Sequence, residues 1–150
     1  MKHGFAVRTA VSYTHLKNYS AQVLKANMRI VGATEYAVVL YRNLLPKFRN
    51  NGHMVFNWFE WKRDGKGIPK IHPAQKPVNI LKKLIEIFTD QGDIVIDPCA
   101  GSASTGRACL ETGRNFYGFE ISRKFYQEAI EKMLIKDNSQ IDFSYLNGGK

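Results

Sequence analysis

One stretch of the 150-residue chain, residues 93–121, constrains the fold more than any other. A short apolar run at 94–96 predicts a buried strand, and Pro98 ends it. Small residues then continue to Gly106 and allow the backbone to turn tightly against a ligand. A helical run and a second apolar strand follow, and the second strand ends at Glu120. Strand, turn, helix, strand and terminal acid predict a nucleoside-binding βαβ unit, whose acid accepts hydrogen bonds from ribose hydroxyls.

The acid at the end of the first strand, Asp97, separates two candidate cofactors. Gly101, Ala103 and Gly106 come close to a dinucleotide-binding pattern. A carboxylate four residues before the first glycine would repel a pyrophosphate, whereas it suits the sulfonium and ammonium groups of S-adenosylmethionine. S-adenosylmethionine is therefore the predicted cofactor. A dinucleotide and a strand–turn–helix without a ligand are the alternatives.

The positive charge of the chain lies in its first half. Residues 1–70 hold 12 lysines and arginines against 3 acids, a net charge of +9, whereas residues 71–150 hold 10 against 10. This asymmetry predicts a polyanionic partner, although a solvated basic surface would have the same composition. We expect a single domain with a basic target-recognition region at 1–70 and a cofactor-binding region at 71–150.

Cysteine usage and hydropathy exclude other classes. Cys99 and Cys109 have neither a metal-ligand spacing nor a disulfide framework, so we expect reduced cysteines, no metal and a cytoplasmic protein. No apolar run approaches the ~20 residues of a membrane span, and no apolar signal region begins the sequence. We therefore expect no association with a membrane.

The basic half is predicted to contain two strands, at 5–13 and 35–41, the second of them central because it is apolar almost throughout. Residues 14–32 are predicted to form a loop with one helical turn. The aromatic run at 56–61 either stacks on exposed bases or anchors a strand in the core. The basic residues expected to contact double-stranded DNA are Lys47, Arg49, Lys62, Arg63 and Lys66.

A polar segment, residues 72–77, precedes an apolar run with helical spacing. Pro77 fits the first helical turn, so the polar residues before it lie at a helix N-terminus, where a carboxylate can be held. The segment lies 20 residues ahead of the Asp97 turn, and the two turns can face one ligand. A further helix at 123–135, capped by Ser122, and a short strand at 141–146 are also predicted.

Three motifs in this order resemble those of the β-type DNA amino-methyltransferases, and most closely the adenine-type methylases of phages and prophages. They are His72-Pro-Ala-Gln-Lys-Pro77, Asp97-Pro-Cys-Ala-Gly-Ser102 and Tyr117-Gly-Phe-Glu120. Enzymes of this family methylate adenine N6 or cytosine N4. The resemblance is strong over 72–134 and looser over 1–70. It implies an α/β, partial Rossmann-like S-adenosylmethionine-dependent methyltransferase fold, with an incomplete central sheet and helices on its faces.

The resemblance also implies a role for individual residues. Glu120 would bind the ribose hydroxyls, Ile121 would pack on the adenine, and Gln75 and Lys76 would hold the methionine carboxylate. The complete implied cofactor set is His72, Gln75, Lys76, Asp97, Pro98, Cys99, Ala100, Gly101, Ser102, Glu120 and Ile121. The sequence departs from the family pattern at Ala74, Cys99, Ala103 and Ser104. Cys99 removes an aromatic wall, and Ala103 adds a methyl group where the family has glycine.

The family's catalytic motif, Asp/Asn/Ser-Pro-Pro-Tyr/Phe, has no counterpart, since no two of the five prolines are adjacent. In the family's order it would precede residue 1, so no catalytic residue is predicted. We expect the carboxy-terminal part of a site-specific DNA methyltransferase, with adenine N6 favoured over cytosine N4 and very weak activity alone. The alternatives are an inactive DNA-binding remnant, a subunit that needs a partner, and an RNA or small-molecule methyltransferase. Exposed sheet edges would favour a homo-oligomer or a complementary amino-terminal methylase polypeptide.

Overall fold

The structure, a computed structural model, describes most of the chain. The described residues are 11–17, 22–25, 30–32, 34–41 and 44–135. The strand predicted at 141–146 lies outside them, as does most of the strand predicted at 5–13. None of the described helices is long and apolar enough to cross a membrane.

The described residues of the basic half contain five strands. They are β1 (Val11–Lys17), β2 (Gln22–Lys25), β3 (Ile30–Gly32), β4 (Thr34–Val39) and β5 (Trp58–Trp61). β1 pairs antiparallel with β4 and parallel with β5, which gives the order β4-β1-β5, and β2 pairs antiparallel with β3. The loop predicted at 14–32 is therefore wrong. Its mixed composition has no strand period, and the strands form through backbone pairing, β2 with β3 and β1 with β4 and β5.

The strand predicted at 35–41 is confirmed as β4, but its central position is wrong. β4 is at the edge of the described three-stranded sheet. Its side chains alternate between half-buried and exposed, with Tyr36 and Val38 70% and 57% exposed. An apolar strand is expected to be central only if both of its faces are covered, and here one face is open.

The cofactor-binding half begins with the helix α1 (Val78–Phe88). A βαβ unit follows, made of β6 (Ile94–Asp97), α2 (Ser104–Thr112) and β7 (Asn115–Gly118). β6 and β7 pair in parallel, from Ile94 opposite Asn115 to Asp97 opposite Gly118. The predicted unit is confirmed. Parallel pairing with a helical crossover places the carboxyl ends of both strands, and so both predicted acids, at the same edge.

The last described helix, α3 (Arg123–Glu128), continues as a π-helical turn, Ala129–Met133. The predicted helix at 123–135 is confirmed in position, but the Ser122 side chain makes no capping hydrogen bond. The Ser122 backbone N–H instead donates to Glu120 Oε1 at 2.7 Å. The start of α3 is therefore tied to one of the predicted cofactor ligands.

The core lies between the helices and one face of the β6–β7 pair. Fully or nearly fully buried side chains come from α1, α2 and the π-helical turn, namely Val78, Ile85, Ala108, Cys109 and Met133. Val95 of β6 and Phe116 of β7 pack against them from the strands. The opposite face of the pair is open: Ile94, Ile96 and Tyr117 are each about 60% exposed.

Gly106 in α2 permits the close approach of the helix to the strands. A Cβ atom there would lie 2.7 Å from two ring atoms of Phe116 and 2.9 Å from a methyl group of Leu134. We expect Gly106→Ala to lower the free energy of unfolding by about 1–2 kcal/mol, because overpacking outweighs the gain in helix propensity. Gly67→Ala is the control, since no atom lies within 4 Å of that position. Urea denaturation of both variants measures the difference, and equal stabilities would contradict the prediction.

Candidate functional site

A cleft of about 260 Å³ lies where the 72–77 segment faces the turn after β6. The side chains around it are His72, Ala74, Gln75, Lys76, Leu81, Asp97, Cys99, Ala100, Gly101, Ser102, Ser104, Thr105 and Glu120. This set includes every predicted cofactor residue except Pro98 and Ile121. Both are exposed to solvent, and Ile121 entirely so. The two turns, distant in sequence, thus face one cavity.

The Asp97 carboxylate is held in place by its own turn. Its Oδ1 accepts the Cys99 backbone N–H at 3.0 Å, and its Oδ2 accepts the Thr105 hydroxyl at 2.7 Å. Each oxygen keeps a lone pair for a further donor, because an ionised carboxylate accepts about four hydrogen bonds. The cleft therefore presents a fixed negative charge at the end of β6.

The second acid, Glu120, lies across the same turn. Its Oε2 accepts the Gly101 N–H at 2.8 Å, while its Oε1 accepts the Ser122 N–H. The Ala100 N–H donates to the Phe119 carbonyl at 2.8 Å and joins the two strand ends. Gly101, at φ +53°, adopts the left-handed conformation that this close approach requires. Glu120 is thereby fixed beside the cleft, with lone pairs left for hydroxyl donors.

The backbone of the 72–77 segment is braced by hydrogen bonds from its own side chains. Gln75 Oε1 accepts the Ile71 N–H at 2.9 Å, and Gln75 Nε2 donates to the Pro69 carbonyl at 2.9 Å. His72 Nδ1 accepts the Ala74 N–H at 3.1 Å. The Gln75 amide is thus engaged in bracing the loop, which differs from its implied role as a carboxylate ligand.

Lys76 is the cationic side chain of this cleft. Its Nζ lies 2.7 Å from Glu35 Oε2 of β4, and half of the Lys76 side chain is exposed. The lining of the cleft therefore combines two carboxylates with an ammonium group. This arrangement fits a zwitterionic ligand that also carries ribose hydroxyls.

Thr105 and Ser104 are site residues that the sequence analysis missed. Thr105 orients Asp97, and the Ser104 hydroxyl lies 3.0 Å from the Ser102 hydroxyl in a buried pair. The available signal was a pair of hydroxyl residues in the first turn of the helix after the loop. In that position their side chains point back toward the strand end.

Ala103 carries backbone strain within the turn. It is 3% exposed and lies at φ +55°, ψ 32°, in the left-handed region that favours glycine. A non-glycine residue there costs about 1–3 kcal/mol. Ala103, which stands where the resembled family has glycine, thus occupies a conformation that favours glycine.

The size of the cleft restricts how a ligand can lie in it. Its volume is slightly below the ~300 Å³ at which ligand pockets usually begin. A larger hollow of about 470 Å³ lies between β5 and α1, but among its lining residues the acids Glu60 and Glu86 are accompanied by three lysines. Charge, not volume, marks the cleft at Asp97 as the cofactor candidate.

Two of the five predicted DNA contacts form ion pairs with the acids that flank the turn before β6. Lys47 Nζ lies 2.7 Å from Asp93 Oδ2, and Arg49 forms two hydrogen bonds with Asp90 at 2.6 and 2.8 Å. The Arg49 guanidinium and then the Lys47 ammonium hold the pKa of Asp90 well below its usual range. These contacts fasten residues 47–49 to the turn before β6. The carboxylates of Asp90 and Asp93 thus partly neutralise the charges of Lys47 and Arg49 in the absence of DNA.

The other basic residues accompany exposed aromatic side chains. Lys62 pairs with Glu60 at 3.0 Å, while Arg63 and Lys66 are exposed. Phe56 and Trp58 are 73% and 46% exposed, with ring centroids 5.9 Å apart. These two rings are therefore not anchors of the core, although the strand predicted by the other alternative is present at Trp58–Trp61 as β5.

The two cysteines differ in accessibility, which gives a direct chemical test of the cleft. Cys99 is exposed at the cleft, whereas Cys109 is completely buried, and burial raises its pKa from 9.0 to about 11. We expect iodoacetamide at pH 8 to modify Cys99 rapidly and Cys109 only after unfolding, as measured by peptide mass spectrometry. Between pH 9 and 11 the Cys109 thiol keeps its proton in the folded chain but ionises in the unfolded chain. The free energy of unfolding should therefore fall as the pH rises from 9 to 11. Equal labelling of both cysteines would contradict this burial.

Within the residues that the structure describes, no group of three or more histidine, cysteine or acidic side chains could hold a metal ion.

Comparison with known proteins identifies the family to which this chain belongs. The N6/N4 family model described as DNA methylase matches residues 14–131. DNA adenine methyltransferase YhdJ of Escherichia coli is 30% identical over 129 residues, which is 85% of this chain and 42% of YhdJ. Type II methyltransferase M.HindIII of Haemophilus influenzae is 41% identical over 68 residues, 45% of this chain and 22% of that protein. The chain spans less than half the length of these two relatives.

Solved structures agree with this assignment. The M1.HpyAVI–SAM complex superposes with a TM-score of 0.70 and 29% identity, covering 89% of this chain and 65% of that one. The cytosine-N4-specific PvuII DNA methyltransferase superposes with a TM-score of 0.69 at 18% identity, covering 86% and 52%, and this likeness concerns the fold alone. The predicted partial Rossmann-like methyltransferase fold is confirmed. The chain belongs to the N6/N4 DNA methylase family, whose members use S-adenosylmethionine.

Proposed function

We propose that this chain binds S-adenosylmethionine in the cleft at Asp97 and serves methyl transfer to an exocyclic amine of a DNA base. The observation that carries the proposal is the convergence of the 72–77 segment and the Asp97 turn on one cleft. Adenine N6 is the favoured target, because the relative matched over most of this chain is named an adenine methyltransferase. The methylated sequence lies outside the proposal.

Five residues in and beside the cleft have a defined part in this proposed function. S-adenosylmethionine supplies a methyl group made electrophilic by its sulfonium. Asp97 balances the positive charge of the methionine end, and Thr105 keeps that carboxylate oriented. Glu120 accepts hydrogen bonds from the ribose, Ile121 packs against the adenine ring, and Lys76 holds the carboxylate.

The transfer step requires groups that these residues do not supply. An exocyclic amine is a poor nucleophile because its lone pair is delocalised into the ring, and polar acceptors must polarise it in the transition state. The 150 residues contain no Pro-Pro pair of the kind that carries this role in the family. We propose that this chain alone has very weak activity and that a polypeptide carrying Asp-Pro-Pro-Tyr completes it.

Calorimetric titration of the 150-residue chain with S-adenosylmethionine tests the cofactor proposal. We expect saturable binding that weakens at least tenfold in Glu120→Ala, since a charged hydrogen-bond acceptor is lost. Glu128→Ala is the matched control, because Glu128 lies on α3 and pairs with Lys132 at 3.3 Å. NAD titrated under the same conditions should give no heat. A folded chain that binds no S-adenosylmethionine would favour the DNA-binding remnant instead.

The DNA-binding part of the proposal rests on the exposed aromatic and basic residues after β4. We propose that Lys62, Arg63 and Lys66 contact phosphates and that Phe56 and Trp58 stack on bases. The triple variant Lys62→Gln, Arg63→Gln, Lys66→Gln should reduce the slope of log affinity against log salt by up to about three, as measured by fluorescence anisotropy. An unchanged slope would remove these residues from the interface.

The open face of the β6–β7 pair supports the proposal of a second polypeptide. Ile94, Ile96, Tyr117 and Phe119 together form an apolar surface of the kind that marks interaction sites. We propose that a complementary methylase polypeptide or a second copy of the chain covers it. Sedimentation velocity measures the association state. A monodisperse monomer that binds no hydrophobic dye would argue against any such partner.

A further inference from the structure

We propose that Glu35 is a positioning residue that competes with the cofactor's carboxylate for the Lys76 ammonium group. The inference rests on the proposed function and deepens it, since it assigns a role in cofactor selection to a residue of β4. Glu35 lies 41 positions before Lys76 in the sequence and belongs to the basic half, away from the motifs of the cofactor site.

The geometry places one cation between two possible anionic partners. Lys76 Nζ donates to Glu35 Oε2 at 2.7 Å, while the Lys76 side chain also forms part of the wall of the cleft. The Glu35 side chain is 28% exposed and that of Lys76 50% exposed, so their ion pair remains in contact with water. Exposed pairs of this kind are weak and are readily exchanged for another partner.

The loop that carries Lys76 does not have to move for this exchange. Gln75 braces the backbone through the Ile71 N–H and the Pro69 carbonyl, and Pro77 begins the first turn of α1. The long Lys76 side chain is therefore the adjustable part of the segment. It can turn from Glu35 toward the cleft by rotation about its own bonds, and its ammonium group can donate a hydrogen bond to a carboxylate there.

Competition between the two carboxylates predicts the direction in which ligand affinity changes when Glu35 is replaced. A ligand carboxylate that approaches Lys76 meets the Glu35 carboxylate at the same ammonium group, and like charges there oppose binding. Removing the Glu35 charge should therefore tighten the binding of any ligand whose carboxylate reaches Lys76. A ligand without a carboxylate should be unaffected. This selectivity distinguishes competition from a purely structural role of Glu35.

The test uses two probes, S-adenosylmethionine and 5′-methylthioadenosine, which lacks the amino acid carboxylate. In Glu35→Gln we expect calorimetric affinity for S-adenosylmethionine to rise about threefold, within the range of exposed ion pairs, and affinity for 5′-methylthioadenosine to stay constant. In Lys76→Met, S-adenosylmethionine affinity should fall about tenfold. In the double variant Glu35→Gln, Lys76→Met, the gain from the Glu35 change should disappear. Glu128→Gln is the control, since it removes one paired surface carboxylate on α3.

The outcomes separate this inference from the proposed function. Unchanged or weaker S-adenosylmethionine binding in Glu35→Gln would overturn the competition. An equal rise for both probes would show that Glu35 acts on the whole cleft and not through Lys76. Lys76→Met with full affinity would also overturn the inference, while the binding itself would still support the proposed function. If the unaltered chain does not bind S-adenosylmethionine, both the inference about Glu35 and the proposed function are wrong.

Discussion

Replacement of Asp97 by asparagine should lower the affinity for S-adenosylmethionine roughly 30- to 100-fold, equivalent to about 2–3 kcal/mol. Asparagine keeps the shape of the side chain: its oxygen can still accept the Cys99 N–H, and its NH₂ group can donate to the Thr105 hydroxyl oxygen. The fold should therefore survive, and the loss should come from the missing negative charge opposite a cationic ligand. Calorimetry measures the affinity, and far-ultraviolet circular dichroism verifies the fold.

Asp93→Asn is the matched control for this experiment. Asp93 lies one residue before β6, pairs with Lys47 at 2.7 Å and is not part of the cleft wall. S-adenosylhomocysteine, whose sulfur is uncharged, serves as the second probe. A larger loss for S-adenosylmethionine than for S-adenosylhomocysteine would assign Asp97 to the sulfonium, and equal losses would assign it to the ammonium. Full affinity in Asp97→Asn would contradict the cofactor site.

Replacement of Met133 by alanine should lower the free energy of unfolding by about 3 kcal/mol, the usual cost of a large-to-small change in a core. Met133 is fully buried between α1 and α2, beside Val78 and Cys109. Met133 is also the last residue of the π-helical turn, and its backbone carbonyl accepts a hydrogen bond from the Arg107 guanidinium at 3.2 Å. The cavity left by the side chain would loosen the contact between the helices and the β6–β7 pair.

Met54→Ala is the control, because the Met54 side chain is completely exposed. Its effect should stay below about 0.5 kcal/mol, as for other exposed substitutions. Thermal unfolding should show a fall in Tm of roughly 6–12 °C for Met133→Ala and almost none for Met54→Ala. Equal Tm values would mean that the π-helical turn does not belong to the core.

The sequence by itself determined the cofactor-binding half. The apolar run before Asp97, the small residues up to Gly106 and the acid at Glu120 are local patterns within 29 residues, and the structure has the predicted βαβ unit there. The helix after Pro77 is equally local, since apolar spacing and a proline suffice to predict it. Such patterns succeed because each element needs only its own periodicity to be recognised.

The tertiary structure decided the partners of the polar side chains. Lys76 pairs with Glu35 at a separation of 41 residues, and Lys47 with Asp93 at a separation of 46. No local pattern relates such pairs, because they exist only once two distant segments are packed together. The same reason explains why Lys47, predicted to contact DNA, is found in an ion pair with the turn before β6.

In the basic half, local sequence patterns also failed to predict the backbone structure. The strands β2 and β3 form where a loop was predicted, and β4 is an edge strand where a central one was predicted. Strand pairing depends on which backbone lies alongside, and a short segment of mixed composition does not encode its neighbour. The sequence thus determined the order of the motifs and the family, whereas packing decided which charges remain available to a ligand.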